Sequence, residues 1–443
     1  MVSGGIALIM LVVAVVVLIL LTARVKLNAF IALILVAFLY GILIGMPLTD
    51  IIGHIRDGFG GTLGYIGIVI VAGTIMGTIL EKTGAAFSMT NAILRLVGKQ
   101  RSPLAMSIAG YVVSVPVFCD SGYVILTPLN KALAKETGKS MAVMAVALAT
   151  GLYATHTMVP PTPGPISAAG LVDADLGAVI GLGLAVSIPA MIAGYLWATL
   201  FAKRYNIEAQ LAEDYEAVKA KYGTLPSAFL SFLPLVVPIL LILLKSIAEF
   251  PTEPFGEGGF ATFISFIGDP VTALILGVLL SFLLVKKDVL GQAANEWTGD
   301  GIKSAALILA ITGAGGSFGR ILQNSPMVSF IENNLATLPL GILLPFIVSA
   351  AIKSAQGSST VAIITTASVM APLLGGLGLS PALTVIAIGA GSMVVSHAND
   401  SYFWVVSQFS DMDVKTAYKA YTTSTLVEGV VAFVFVAILS IFI

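Results

Sequence analysis

Charge is what this sequence has least of. Only 10% of its 443 residues are Asp, Glu, Lys or Arg, against roughly 25% in a soluble protein. The net charge is −1, so no basic field draws nucleic acid. Cysteine is nearly absent. Cys119 stands alone beside three histidines, which excludes an internal disulfide and gives no Cys/His cluster at metal-ligand spacing. No cofactor motif is present either. The run 313–319, GAGGSFG, is a poor phosphate loop because it lies within an apolar stretch, where small residues serve close helix packing. With no nucleotide-binding module, an ATP-driven pump has no basis in this chain.

Apolar sequence fills the space that charge leaves. The chain is 58% hydrophobic with a mean hydropathy of +1.02, the mark of a protein whose solvent is the bilayer. A crossing needs about 20 apolar residues. Candidate spans are 5–22, 27–45, 62–80, 141–158, 177–201, 227–246, 269–285, 301–322, 380–397 and 420–443. The first lacks a basic flank and a cleavage site and reads as a retained span. Residues 103–137 and 339–376 behave differently: each holds two arms, short for a full crossing, around a polar tip with glycine. These read as re-entrant hairpins, a backbone tolerated at depth only inside protein or beside a wet cavity. The expectation is an all-α membrane protein with about ten spanning helices and two re-entrant hairpins.

Basic residues give the orientation. Lys82, Arg95, Lys99, Arg101, Lys131, Lys135, Lys139, Lys203, Arg204, Lys219, Lys221, Lys286, Lys287 and Lys303 are cytoplasmic if 249–260, with Glu249, Glu253 and Glu257, faces outside. Parity then requires each hairpin to return to its own side, and puts both termini outside. The chain also repeats itself. Gly73, Gly77, Ile79, Leu80 and Glu81 match Gly315, Gly319, Ile321, Leu322 and Gln323; Ser121, Ile125 and Thr127 match Ser359, Ile363 and Thr365; Thr155-His156 matches Ser396-His397. The loop after 62–80 is basic whereas its counterpart 323–338 has no Lys or Arg, so the repeats read as inverted, with a site expected at their interface. The organisation expected is an N-terminal repeat (1–202) with hairpin 103–137 and broken helix 141–165, a cytoplasmic linker 203–226, and a C-terminal repeat (227–443) with hairpin 339–376 and broken helix 380–405.

Four polar interruptions carry the chemistry. Tip one is centred on Asp120, Ser121 and Gly122, tip two on Gly357, Ser358, Ser359 and Thr360. A half-helix starting after each tip presents unpaired N–H groups and the positive end of its dipole, which suits a carboxylate. The first helix break, THTMVPPTPGP, holds Thr155, His156 and Thr162 among four prolines; the second, SHANDSYFW, holds Ser396, His397, Asn399 and Asp400. Proline makes continuous helix impossible in the first. Ionisable groups inside spans default to functional hypotheses. Lys353, beside tip two, is a candidate to neutralise a substrate carboxylate as a compact charge. Asp120, His156, His397 and Asp400 are candidates for a coupling proton, since a carboxyl removed from water holds a proton more readily. Glu428 has no partner in the first repeat and reads as structural.

At these residues the chain resembles the gluconate:proton symporter family, the gluconate permeases, within a wider superfamily of ion-coupled transporters. The likeness is carried by GGTLG (60–64), THTMVPPTPGP (155–165), GDP (268–270), GAGGSF (313–318), GSSTVA (357–362) and GSMVVSHAND (391–400). It implies proton-coupled uptake of a small hydroxy or sugar acid across a bacterial inner membrane, and kinship with dimeric elevator-type transporters. Asp120, Thr162 and Lys353 depart from the Glu, His and Arg common in the family at those places. The shorter Asp and smaller Thr open the pocket to a smaller acid such as glycerate. The expected function is therefore a symporter for a small hydroxylated monocarboxylate. Its site residues are Ser121, Gly122, Thr155, Thr162, Lys353, Gly357, Ser358, Ser359, Thr360, Ser396 and Asn399, with Asp120, His156, His397 and Asp400 for the proton. Two alternatives stand beside it: sodium in place of the proton, bound by the hydroxyls and carbonyls of the tips, and a membrane-embedded enzyme built on His156, Asp400 and Ser359.

Overall fold

The computed structural model describes residues 1–209, 223–249, 254–256, 258–334, 341–398 and 400–442. Most of the expected linker, together with Glu253, Glu257 and Asn399, lies outside the described residues. Helices of eight residues or more are α1 (Gly4–Ala23), α2 (Ala29–Leu43), α3 (Leu48–Lys82), α4 (Ala85–Val97), α5 (Ser102–Val113), α6 (Cys119–Thr137), α7 (Met141–Met158), α8 (Pro163–Leu171), α9 (Leu176–Leu200), α10 (Ala228–Ala248), α11 (Gly259–Gly268), α12 (Pro270–Phe282), α13 (Thr298–Gln323), α14 (Met327–Asn334), α15 (Leu343–Gln356), α16 (Ser359–Met370), α17 (Pro381–Met393), α18 (Ser401–Phe409) and α19 (Thr423–Leu439). No strand occurs among the described residues.

Local chemistry explains where the helices start. Asn28, Asp175, Ser227 and Asp269 each accept a hydrogen bond from an orphan N–H of the helix they precede, the ordinary N-cap arrangement. At Asp269-Pro270 the cap and a proline in the first turn also separate α11 from α12, which meet at 62°. Among the described residues, seven helices, or nine when each bent pair is taken as one span, are long and apolar enough to cross a membrane. The chain is thus a multi-pass, all-helical membrane protein. Three segments expected to span, α2, α12 and α17, are helices of 15, 13 and 13 residues, below the length of an upright crossing; α12 reaches that length only together with the bent α11. α3 is longer than expected because helix continues upstream to Leu48.

Two pairs of helices that the sequence suggests are equivalent pack on each other in opposite directions. α3 lies along α13: Ser317 Oγ donates to Ile55 O at 2.9 Å near one end, and Gly301 meets Ile75 at the other. The GAGGSFG run sits in this interface, where Gly316 faces the Gly58 carbonyl and Gly313 faces the Phe59 ring. Close packing through small residues is therefore its role. α7 and α17 are likewise antiparallel, with the Tyr153 hydroxyl donating to Ser392 O at 3.2 Å and Gly389 against Thr157 O. Each hairpin arm packs on the helix that follows it. A Cβ on Gly151 of α7 would collide with Ser107 O of α5, and one on Gly391 of α17 would collide with Phe346 O of α15. Only a residue without a side chain lets these backbones approach so closely.

Candidate substrate and ion site

Tip one is the turn 114–118 between α5 and α6. Asp120, Ser121 and Gly122, expected at its centre, occupy the first turn of α6. There a carboxylate meets the positive end of the helix dipole. Ser121 lines a cavity of about 60 Å³ with Thr78, Glu81, Phe118 and Ser304. Gly122 is buried, and a Cβ there would come within 2.7 Å of the Leu152 side chain. This close approach packs α6 against α7.

Tip two is tighter. Gly357 has φ +96°, a backbone that favours glycine. Ser358 caps α16 by accepting from Val361 N–H at 3.3 Å. Ser359 and Thr360 form the first turn of α16; Ser359 is buried and Thr360 half-buried. Lys353, one turn before the tip, is wholly buried. Its ammonium donates to Gly357 O and, at 2.5 Å, to Asp400 Oδ2, and it stands 5.9 Å from the centre of the Tyr153 ring, within cation–π range.

The two helix breaks differ. In the first, residues 159–162 separate α7 from α8, and Pro160, Pro161 and Pro163 leave the chain no helical continuation. Thr155 and His156 fall in the last turn of α7 rather than in the unwound segment. The Thr155 hydroxyl donates to Tyr111 O of α5 at 2.9 Å, and the Thr162 hydroxyl to Val159 O at 2.6 Å. Each hydroxyl spends its donor on backbone and keeps only acceptor capacity for a ligand. His156 is buried with its ring 6.0 Å from that of Phe118 on tip one, and its Nδ1 has no partner among the described residues.

The second break covers 394–400 and, with Thr155-His156 aligned on Ser396-His397, opens six residues earlier than the first. It contains no proline. Its Ser, His and Asp side chains offer the backbone alternative partners, which competes with helix. Val395 takes φ +58°, an outlier for a β-branched residue that the surrounding contacts must hold in place. Ser396 N–H donates to Thr425 Oγ1 at 3.0 Å, and Ser396 Oγ to Asp400 Oδ2 at 2.5 Å. Asp400 caps α18 by accepting from Tyr402 N–H at 3.0 Å. His397 Nε2 lies 2.9 Å from Ser354 O on α15.

The interruptions meet crosswise. Tip two touches the second break through Lys353–Asp400, and the helix just after the first break through Gly164 of α8 against Ile363 and Thr360 of α16. Tip one touches the second break: Ser401 Oγ donates to Asp120 Oδ1 at 3.3 Å, and the Tyr123 and Tyr402 rings stand 6.1 Å apart, edge to face. The half-buried Asp120 and exposed Ser401 leave this junction open to small ligands. Larger cavities of about 400 and 290 Å³ lie elsewhere, at the distal end of α8 against α3 and α13, and beside α10, so size alone does not mark the site.

Sequence reasoning missed Tyr153, Thr425 and Ser401, which contact Lys353, Ser396 and Asp120. A tyrosine within an apolar span signals a hydroxyl in need of a partner. Thr425 carries no comparable signal, because threonine is common in such helices. The chemistry assembled is one buried cation shared between a hairpin tip and a helix break, two carboxylates, and a row of hydroxyls at a helix N-terminus.

Comparison with known proteins agrees with this architecture. Two solved transporters share the fold: YdaH of Alcanivorax borkumensis, with TM-score 0.68, 18% identity and coverage of 93% of this chain and 98% of that one, and MtrF of Neisseria gonorrhoeae, with TM-score 0.67, 15% identity and coverage of 92% and 94%. Closer in sequence are a gluconate permease of Pseudomonas aeruginosa, 35% identical over 96% of this chain and 95% of its own length, and the D-serine transporter DsdX of Escherichia coli K12, 33% identical over 95% of each. Such relatives are permeases and transporters rather than enzymes, and the enzyme alternative falls away. The family description "GntP family permease" matches residues 6–442, and the chain belongs to that family.

Proposed function

We propose that this protein is a secondary active symporter that brings a gluconate-like hydroxy or sugar monocarboxylate across the bacterial inner membrane with a proton, and that it takes smaller acids such as glycerate. The observation that carries the reading is the Lys353–Asp400 pair at 2.5 Å, with almost no exposure on either side chain. Lys353 is the fixed cation at tip two, and Asp400 already neutralises it. A carboxylate ligand can take Asp400's place only if the negative charge of Asp400 is removed. Protonation of Asp400 does that. Proton uptake and carboxylate binding then favour one another, because each removes the penalty of leaving a buried charge unpaired. The α16 N-terminus adds free N–H groups and dipole for the anion. Ser121, Ser359, Thr360, Ser396 and Asn399 are the hydroxyl and amide groups assigned to the substrate, and Asp120, His156 and His397 the groups that pass the proton to and from water.

Antiparallel packing of α3 on α13 and of α7 on α17 supports inverted repeats, since repeats of the same sense would set equivalent helices parallel. Hairpins 103–137 and 339–376 are assigned as re-entrant, the chain as a homodimer, and the moving unit of the elevator as the hairpins with the broken helices. In proteoliposomes, uptake of the preferred acid follows an imposed pH gradient, inside alkaline. Uptake that ignores the gradient but requires sodium overturns the proton assignment. Thermal stabilisation by gluconate, glycerate, lactate, D-serine and fructuronate ranks the substrates, because a ligand that binds only the folded state raises its stability with concentration.

A further inference from the structure

Glu428 lies outside the site just described. It sits in the second turn of α19, fully buried, and neither carboxyl oxygen has a hydrogen-bond partner among the described residues. The elements packed against α19 include α7, α9, α17 and the π turn Tyr418–Thr422, the second break through Ser396 and Val394, and α15 through the stacked rings of Phe346 and Phe433. Their titratable side chains are Tyr153 and His156 on α7, Tyr195 on α9, Tyr418, Lys419 and Tyr421 on the π turn, His397 and Asp400 in the break, and Lys353 on α15; α17 has none. Lys353 and Asp400 are paired with each other, and His397 lies against Ser354 O. Tyr418 and Lys419 are exposed, and no acid–base pair involves Glu428 among the described residues. An ionised carboxylate enclosed without a donor or counter-charge bears its whole dehydration penalty. A neutral carboxyl escapes most of that penalty.

As a packing residue an acid here is a poor choice, since even its neutral form leaves polar atoms unpaired. Its surroundings point to another role. Gly429, the next residue, lies against Ala390 O and Val394, where the second break begins. Thr425, one turn earlier and on the same side of the helix, accepts from Ser396 N–H inside the break, and Ser396 holds Asp400. Any movement of the break relative to α19 changes what surrounds Glu428. About 240 residues earlier, at the corresponding place in the first repeat, stands Ile188, so the acid belongs to one repeat alone.

We propose that Glu428 is a proton-binding site: it carries a proton in this arrangement and releases it when the second break separates from α19 and water reaches the carboxyl. The inference rests on the proton-coupled reading and adds a second proton-holding group to it, one that does not touch the substrate. Glu428→Gln, which keeps the shape and the neutral state, retains exchange of labelled acid across proteoliposomes near the wild-type rate but loses accumulation driven by a pH gradient. Accumulation by Glu428→Gln equal to that of the wild type overturns the proposal. Infrared spectra give an independent reading. The wild type shows a protonated-carboxyl band that persists at alkaline pH, disappears in Glu428→Gln and shifts in Glu428→Asp. A band that neither variant alters overturns the proposal as well. If wild-type transport ignores the pH gradient with every acid, the symport reading has failed, and the infrared result still decides whether Glu428 holds a proton.

Discussion

Lys353 and Asp400 are 47 residues apart in sequence and share one hydrogen bond in a dry setting. Removing one partner leaves the other's charge unpaired, at about 3–5 kcal/mol, whereas replacing both with apolar residues is far milder. Lys353→Met and Asp400→Leu should therefore each lower the unfolding temperature in detergent more than the double variant does. Singles no worse than the double would show that the pair is not formed in the membrane protein. Thr155 and Thr360 make the complementary test. Thr155→Val removes the bond to Tyr111 O and is expected to cost about 1 kcal/mol of stability without changing substrate affinity. Thr360→Val, at the half-buried start of α16, weakens binding about tenfold, the size of one hydrogen bond to a charged group. Equal affinities for the two variants would remove Thr360 from the site.

At the scale of elements, close approach decides what can be changed. Gly151 and Gly391 occupy matching places, each facing a backbone carbonyl of the hairpin arm beside it. A backbone oxygen cannot swing away as a side chain can. Gly151→Ala and Gly391→Ala should each destabilise by about 1–3 kcal/mol through overpacking. Gly60 and Gly64 in α3 have nothing within 4 Å of the place a Cβ would take, and alanine there should be neutral or stabilising by up to about 1 kcal/mol from helix propensity. Thermal unfolding of the four variants checks both halves. Similar losses at 151 and 391 would also support the equivalence of the two hairpin–helix units, and a loss at only one would count against it.

For the whole molecule, the question is whether the junction of tips and breaks opens and closes. Cys119 is the single thiol and is buried, with Sγ 3.6 Å from Asp120 Oδ2. Ser401, which bonds the same carboxylate, is exposed. A cysteine placed by Ser401→Cys in a Cys119→Ala background should react with a membrane-permeant maleimide much faster than Cys119 does in the wild type. Bound substrate should slow the labelling of Cys119 further by holding tip one in place. Labelling of Cys119 that is fast and insensitive to every transported acid would mean that tip one stands apart from the site.

Composition by itself determined the solvent of this protein, because a chain with so little charge has no soluble fold open to it. Local chemistry determined most of the punctuation: Asn28, Ser227 and Asp269 start helices, and Pro160, Pro161 and Pro163 stop one. The sequence also marked the four places where polar groups interrupt apolar helix. Tertiary structure decided which of those groups meet. It turned Thr155 and Thr162 onto backbone carbonyls, moved Asp120 into a helical turn, joined Lys353 to Asp400, and set Thr425 against Ser396. Period and capping act over a few residues and can be read along the chain. Pairing between side chains tens to hundreds of residues apart depends on how helices cross, and the glycines and carbonyls that set those crossings carry no partner's address in the sequence.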